Sequence, residues 1–268
     1  MNMKGVRHMN LFRSKLSEGK RIAGTLVSLT DPCLCEIMGR VGYDAVWIDM
    51  EHTYMSYRDV LCHISTASAS GIASVVRLPQ DDLTATKKIL EMGPDAVIFP
   101  MVRSYDEARA LIESTLYPPH GTRGFGPMRA IGYGAESAKE YVQERSLELC
   151  RLIQIESVEC IDDLERIAEI PYLDGCIFGP NDLSGSLGEF LNVFGDKTLT
   201  YMQAAIRTLR EHNKLIGIAG GMDEQSIGVW SGLDVDMLFS GGDWSFVYAA
   251  ARDTLQKLDQ YKKGRTEI

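Results

Sequence analysis

The chain has 268 residues, 45% of them hydrophobic and 24% charged, which fits a soluble globular protein and the length of one α/β barrel. A net charge of −9 and a pI near 5.1 argue against nucleic acid and anionic membranes as partners, yet a few Arg side chains can still hold a small anion. The N-terminal MNMKGVRHMNLFRSKLSEGK lacks the apolar stretch of a secretion signal, and no apolar run approaches the roughly 18 residues of a membrane span, so a cytoplasmic protein is expected.

Short β-branched runs alternate along the chain with longer segments of helical period. The expected strands are Ile22–Ser28, Asp44–Asp49, Ala73–Arg77, Asp95–Pro100, Arg151–Ile155, Asp174–Phe178, Leu215–Ala219 and Val235–Phe239. Amphipathic helices are expected between them, among them Thr84–Met92, Tyr105–Thr115 and Leu199–Glu211. The strands are nearly continuous apolar runs, as in parallel strands buried on both faces. Eight strand–helix units predict a single (β/α)8 barrel spanning residues 1–268. An open nucleotide-binding sheet would carry a GxGxxG turn after its first strand, and none follows Gly24-Thr25-Leu26-Val27. No internal repeat or linker divides the chain. The Gly-rich segment Tyr117–Gly134 breaks the rhythm and is expected as a loop beside the barrel mouth. The six Cys form no disulfide-dense or CxxC pattern and are expected as reduced, buried thiols.

Barrel chemistry sits at the C-terminal ends of the strands, so the polar residues found there carry the functional reading. The second strand runs into Asp49-Met50-Glu51-His52, the third ends in Arg77, the fifth in Gln154-Ile155-Glu156, and the sixth in Gly179-Pro180-Asn181-Asp182. The opposite strand ends show no comparable cluster. Glu156 and Asp182 on neighbouring strands can share one hard divalent cation whose shell is completed by water and substrate oxygens; alternatively, Asp182 caps the next helix. Arg77 offers a donor fork for a carboxylate or keto oxygen, or else pairs with Asp49. His52 can act as a general base through a water, or be a structural histidine. His8, His63, His120 and His212 are expected to be structural or surface residues. No strand ends in Lys, and Lys87 and Lys88 lie in a helical segment, which argues against a Schiff-base mechanism.

Five strings in this order, IDMEH, VVRLP, YPPHGTRGFGP, LIQIES and FGPNDLSGSLG, resemble those of the HpcH/HpaI aldolases over Gly24 to Ala251. The resemblance implies a barrel of the phosphoenolpyruvate/pyruvate-binding type and metal-dependent reversible cleavage of a 4-hydroxy-2-oxo acid into pyruvate and an aldehyde. It implies that Glu156 and Asp182 bind the metal (Mg2+ or Mn2+, with Co2+ or Zn2+ as further options). It also implies that Arg77 reaches the keto oxygen, that Gln154 lines the metal pocket, and that the N–H groups of Asn181 and Asp182 receive the pyruvate carboxylate. His52 would move a proton through a water, with Asp49 and Glu51 orienting the site. Glu91, in Leu90-Glu91-Met92-Gly93, falls where the family pairs an Asp with this His. A homo-oligomer, a hexamer by resemblance, is implied, in which the C-terminal helix near Trp244–Tyr261 is exchanged between subunits. Three alternatives stay open: a citrate-lyase-like CoA-ester lyase, for which the expected basic cluster is missing, an oxaloacetate decarboxylase, and a non-catalytic sensor of 2-oxo acids.

Overall fold

A computed structural model describes residues 10–263 of the chain. Eight parallel strands close into a barrel in sequence order: β1 Ile22–Val27, β2 Ala45–Asp49, β3 Ala73–Arg77, β4 Ala96–Phe99, β5 Cys150–Ile155, β6 Gly175–Phe178, β7 Leu215–Gly220 and β8 Met237–Gly242. The (β/α)8 expectation is met. Most strand limits agree within a residue, but β8 starts and ends later than expected, running through Ser240-Gly241-Gly242 toward the mouth. The outer helices are α1 Leu11–Ser17, α2 Cys33–Val41, α3 Tyr57–Ala69, α4 Leu83–Met92, α5 Tyr105–Ser114, α6 Ala138–Gln143, α7 Val158–Asp162, α8 Leu164–Ala168, α9 Pro180–Ser186, α10 Asp196–Glu211, α11 Glu224–Ser231 and α12 Asp243–Lys263. No described helix is long and apolar enough to cross a membrane.

The two-residue period of the strands sorts their side chains into two cores. Ala45, Trp47, Ala73, Val75, Ala96, Ile98, Cys150, Leu152, Ile177, Met237 and Phe239 fill the barrel interior. Their neighbours Val46, Ile48, Val76, Val97, Phe99, Ile153 and Phe178 pack outward against the helices. Gly24 sits where β1 meets β8, and a Cβ there would lie 2.3 Å from the Phe239 ring, so only glycine lets that ring fill the barrel.

The base of the barrel is built by a repeat that sequence reading missed. Asp44, Asp95, Asp174 and Asp236 each directly precede an even-numbered strand and accept a backbone N–H of the preceding strand: from Ala23 (3.0 Å), Ser74 (2.8 Å), Arg151 (2.8 Å) and Ile216 (2.7 Å). The N-terminal strand ends are therefore not bare of polar clusters, and the chain carries a short recurring Asp-strand unit. Across this base lies α1, whose Phe12 is fully buried and whose Arg13 pairs with Asp174 at 2.7 Å. The base is closed, so access is from the opposite end.

All six Cys are free; Cys35, Cys150, Cys160 and Cys176 are buried, but Cys33 is exposed at the start of α2, contrary to expectation. The segment 117–134 also departs from its expected place. It follows α5, which descends from the mouth, and it leads through α6 toward the start of β5, so it lies at the base. There Arg129 donates to the carbonyl of Met92 at 2.6 Å, and Arg123, Ala130 and Arg145 line a small cavity with Asp95 and Glu148.

Candidate active site

The strand parity that fills the interior with Trp47, Val75 and Leu152 continues to the polar strand ends. Asp49, Arg77, Gln154 and Glu156 occupy the next inward positions of β2, β3 and β5, so their side chains converge on the barrel axis. Around them opens a cavity of about 560 Å³ lined by Leu26, His52, Arg77, Gln154, Glu156, Asn181 and Asp182 among others.

Arg77 stands over the Trp47 ring, 5.2 Å from its centroid. Its Nε and Nη2 donate to the two carboxylate oxygens of Asp49 at 2.9 and 2.6 Å, and its Nη1 lies 3.0 Å from Glu51. Burial alone would lower its pKa, but Asp49 and Glu51 outweigh burial and raise it, so the guanidinium is a fixed positive charge. The Asp49 pairing and the placement at the cavity coexist. Asp49 also accepts the N–H of Glu51 at 2.9 Å, which folds the strand end back and sets the turn that carries His52.

Glu156 is gripped from both sides. Its Oε2 accepts the N–H of Met101 at 2.9 Å and its Oε1 accepts Gln154 Nε2 at 2.5 Å. Burial pushes its carboxyl up to about 7, helped by the charges of Glu51 and Asp182 and opposed by the Met101 amide. Such a carboxylate cluster is held together by a cation when ionised. Met101 has a positive φ of 56°, a left-handed backbone that costs a non-glycine residue roughly 1–3 kcal/mol and here aims its N–H at Glu156. No side-chain motif announces Met101, because its contribution is a backbone amide.

Asp182 lies in the first turn of α9, whose cap position is Gly179, so it is not the helix cap. A Cβ at Gly179 would lie 2.6 Å from Glu156 Oε1 and 2.8 Å from Gln154 Nε2, so glycine leaves the space in front of the carboxylate open. Gln154 Oε1 is buried without a hydrogen-bond partner. Among the described residues no group of three or more His, Cys, Asp and Glu is arranged to hold a metal. The pair Glu156 and Asp182, with Glu51 close enough to raise Glu156, fits a cation that keeps several positions for water and substrate oxygens.

His52 is at the rim, its side chain 65% exposed, with Nε2 at 3.6 Å from Glu51. Glu91 does not join it. It occupies the C-terminal turn of α4, at the base of the barrel, and binds Arg123 at 3.1 Å. A helix following a strand carries the chain back to the base, so within one chain the expected His52–Glu91 dyad is not formed. Of the other histidines, His63 is buried between Cys35 Sγ at 3.3 Å and the Leu29 carbonyl at 3.0 Å, His120 packs on the Tyr172 ring, and His212 pairs with Glu165 at 2.9 Å. His8 lies outside the described residues.

The sequence profile of the HpcH/HpaI aldolase/citrate lyase family matches residues 23–222, a span that contains this entire polar cluster. The chain belongs to the HpcH/HpaI aldolase/citrate lyase family. A hydroxypyruvate/pyruvate aldolase of Deinococcus radiodurans is 31% identical over 243 residues, covering 91% of this chain and 87% of its own length. A 2-keto-3-deoxy-L-rhamnonate aldolase of Escherichia coli is 29% identical over 259 residues, 96% of this chain and 94% of the relative. A crystal structure of an HpcH/HpaI family protein from Burkholderia cenocepacia superposes with a TM-score of 0.86 at 27% identity, covering 94% of this chain and 100% of that one. With these aldolases as relatives across nearly its full length, this family member is an enzyme, a carbon–carbon lyase of the aldolase type.

Proposed function

We propose that this HpcH/HpaI family member cleaves a 4-hydroxy-2-oxo acid reversibly into pyruvate, or a close 2-oxo acid, and an aldehyde, with the aid of a divalent cation such as Mg2+ or Mn2+. The observation that carries the reading is the convergence of one committed cation, Arg77, with the buried carboxylate Glu156 and with Asp182 in a single cavity at the strand ends. Glu156 and Asp182 would hold the cation, which when bound supplies Lewis acidity to the carboxylate and keto oxygens of the 2-oxo acid.

The chain's own groups do the rest. Arg77, fixed by Asp49 and Glu51, presents its positive charge where the keto oxygen gains negative charge during carbon–carbon cleavage, and because it is already oriented it needs no reorganisation then. Gln154 holds Glu156 in place through its Nε2. The backbone N–H groups of Asn181 and Asp182, in the first turn of α9, would receive the substrate carboxylate. His52, beside Glu51, takes the proton of the C4 hydroxyl through a water. Glu51 replaces Glu91 as the carboxylate next to His52.

A retro-aldol screen across 4-hydroxy-2-oxo acids, read by pyruvate release, tests this assignment. Exhaustive chelation is expected to abolish cleavage and added Mg2+ or Mn2+ to restore it. Borohydride with pyruvate is expected to trap nothing. Cleavage that survives chelation overturns it.

A further inference from the structure

The cavity at the mouth has two chemically different sides. Arg77, Gln154, Glu156 and Asp182 line one, from β3, β5 and the turn after β6. Leu26, Ala219, Met222 and Trp244 line the other, from the contiguous arc β7–β8–β1 and the start of α12. The hydroxyls of this second arc are already engaged: Thr25 with the Gly241 carbonyl at 3.2 Å, Ser240 with Gly221 at 2.6 Å, and Ser245 with Gly242 at 2.7 Å. Arg77 is the one Lys or Arg among the described lining residues, and Asp49 and Glu51 hold it on the polar side, away from this second arc. A substrate carboxylate far from the reacting carbons would lose water here without gaining a cation, and it would face an acidic chain of net charge −9. An uncharged chain would instead cover apolar surface on Leu26, Met222 and Trp244, of which Trp244 is 60% exposed.

We propose that this enzyme selects 4-hydroxy-2-oxo acids whose aldehyde half is uncharged, and that Leu26, Met222 and Trp244 form the subsite that accepts it. The inference rests on the aldolase reading, since the pyruvate half must occupy the polar side for the aldehyde half to meet the apolar one.

Binding of two unreactive analogues that lack the C4 hydroxyl separates the possibilities. Calorimetric titration of the Mg2+-loaded protein with 2-oxohexanoate and with 2-oxoadipate compares tails that differ in a terminal carboxylate. The expected result is binding of 2-oxohexanoate at least about tenfold tighter, with the difference narrowed or reversed in Met222→Lys. Equal or tighter binding of 2-oxoadipate by the wild-type protein, or binding of neither analogue, overturns the proposal. An unchanged ratio in Met222→Lys overturns the assignment of the subsite. Deuterium exchange into the methyl group of pyruvate, measured on the same preparation, tells the two readings apart. Exchange without discrimination between the analogues defeats the substrate class alone, whereas absence of exchange defeats the aldolase reading and this inference with it.

Discussion

Glu156 carries the sharpest electrostatic signature of the site. Its carboxyl titrates at about 7 in the folded chain against an ordinary value of 4.5, first because it is buried and then because Glu51 and Asp182 face it. Below the lower value, both folded and unfolded chains hold the proton. Between the two values the folded chain retains a proton that the unfolded chain has released, so stability is lost as pH rises through this window, by on the order of 3 kcal/mol. The thermal midpoint of the chelator-treated protein is therefore expected to fall between about pH 5 and pH 7, and bound Mg2+ is expected to flatten the curve. A midpoint that stays level without metal contradicts this account of Glu156. Asp49, Arg77, Gln154 and Glu156 were legible in the sequence because each stands at the end of an apolar run, where strand period and strand direction together deliver it to the mouth. Met101 was not, since it acts through a backbone N–H held by a positive φ. Glu91 does not meet His52 within one chain, because a short string aligned with a family motif does not say at which end of the barrel the helix carrying it finishes.

At the scale of elements, the turn between β6 and α9 does the closest work. Gly179→Ala places a methyl 2.6 Å from Glu156 Oε1, so it is expected to weaken divalent-metal affinity by roughly 10–100-fold while leaving circular dichroism unchanged. Unaltered affinity, read by titration, speaks against the tight packing of this turn. At the base, Asp95 accepts the N–H and hydroxyl of Ser74 at 2.8 and 2.9 Å and the N–H of Leu11 at 2.8 Å. Asp95→Ala strands these donors and is expected to cost about 2 kcal/mol in denaturant unfolding, without specific harm to metal binding at the far end of the barrel. A loss below experimental error counts against the stapling role. The eight strands could be read directly from apolar runs, yet Asp44, Asp95, Asp174 and Asp236 read only as residues of the expected even-numbered strands, with no sign of a stapling role. Their partners are backbone groups on a neighbouring strand, 20 to 23 residues away, and no local pattern exposes them. The Gly-rich 117–134 segment was legible as irregular, but its end of the barrel follows from counting strand and helix directions, not from composition.

The whole molecule is an asymmetric vessel, closed at the base by α1 and open at the mouth, with an unusually exposed final helix. Along α12, beyond the cavity, Val247, Tyr248, Leu255, Leu258 and Tyr261 are all more than half exposed, more apolar surface than a helix covering only its own barrel would leave in water. Light scattering is expected to show a homo-oligomer, and Leu255→Asp with Leu258→Asp to shift it toward smaller species; a wild-type monomer would contradict the expectation. The proposed chemistry of the mouth depends on one divalent cation bound between Glu156 and Asp182. Its most direct test is a Mn2+ titration followed by electron paramagnetic resonance on the wild-type protein, Glu156→Gln and Asp182→Asn. One bound ion per chain is predicted for the wild type, with affinity reduced at least about tenfold in each variant. Equal Mn2+ binding by all three proteins would contradict the account.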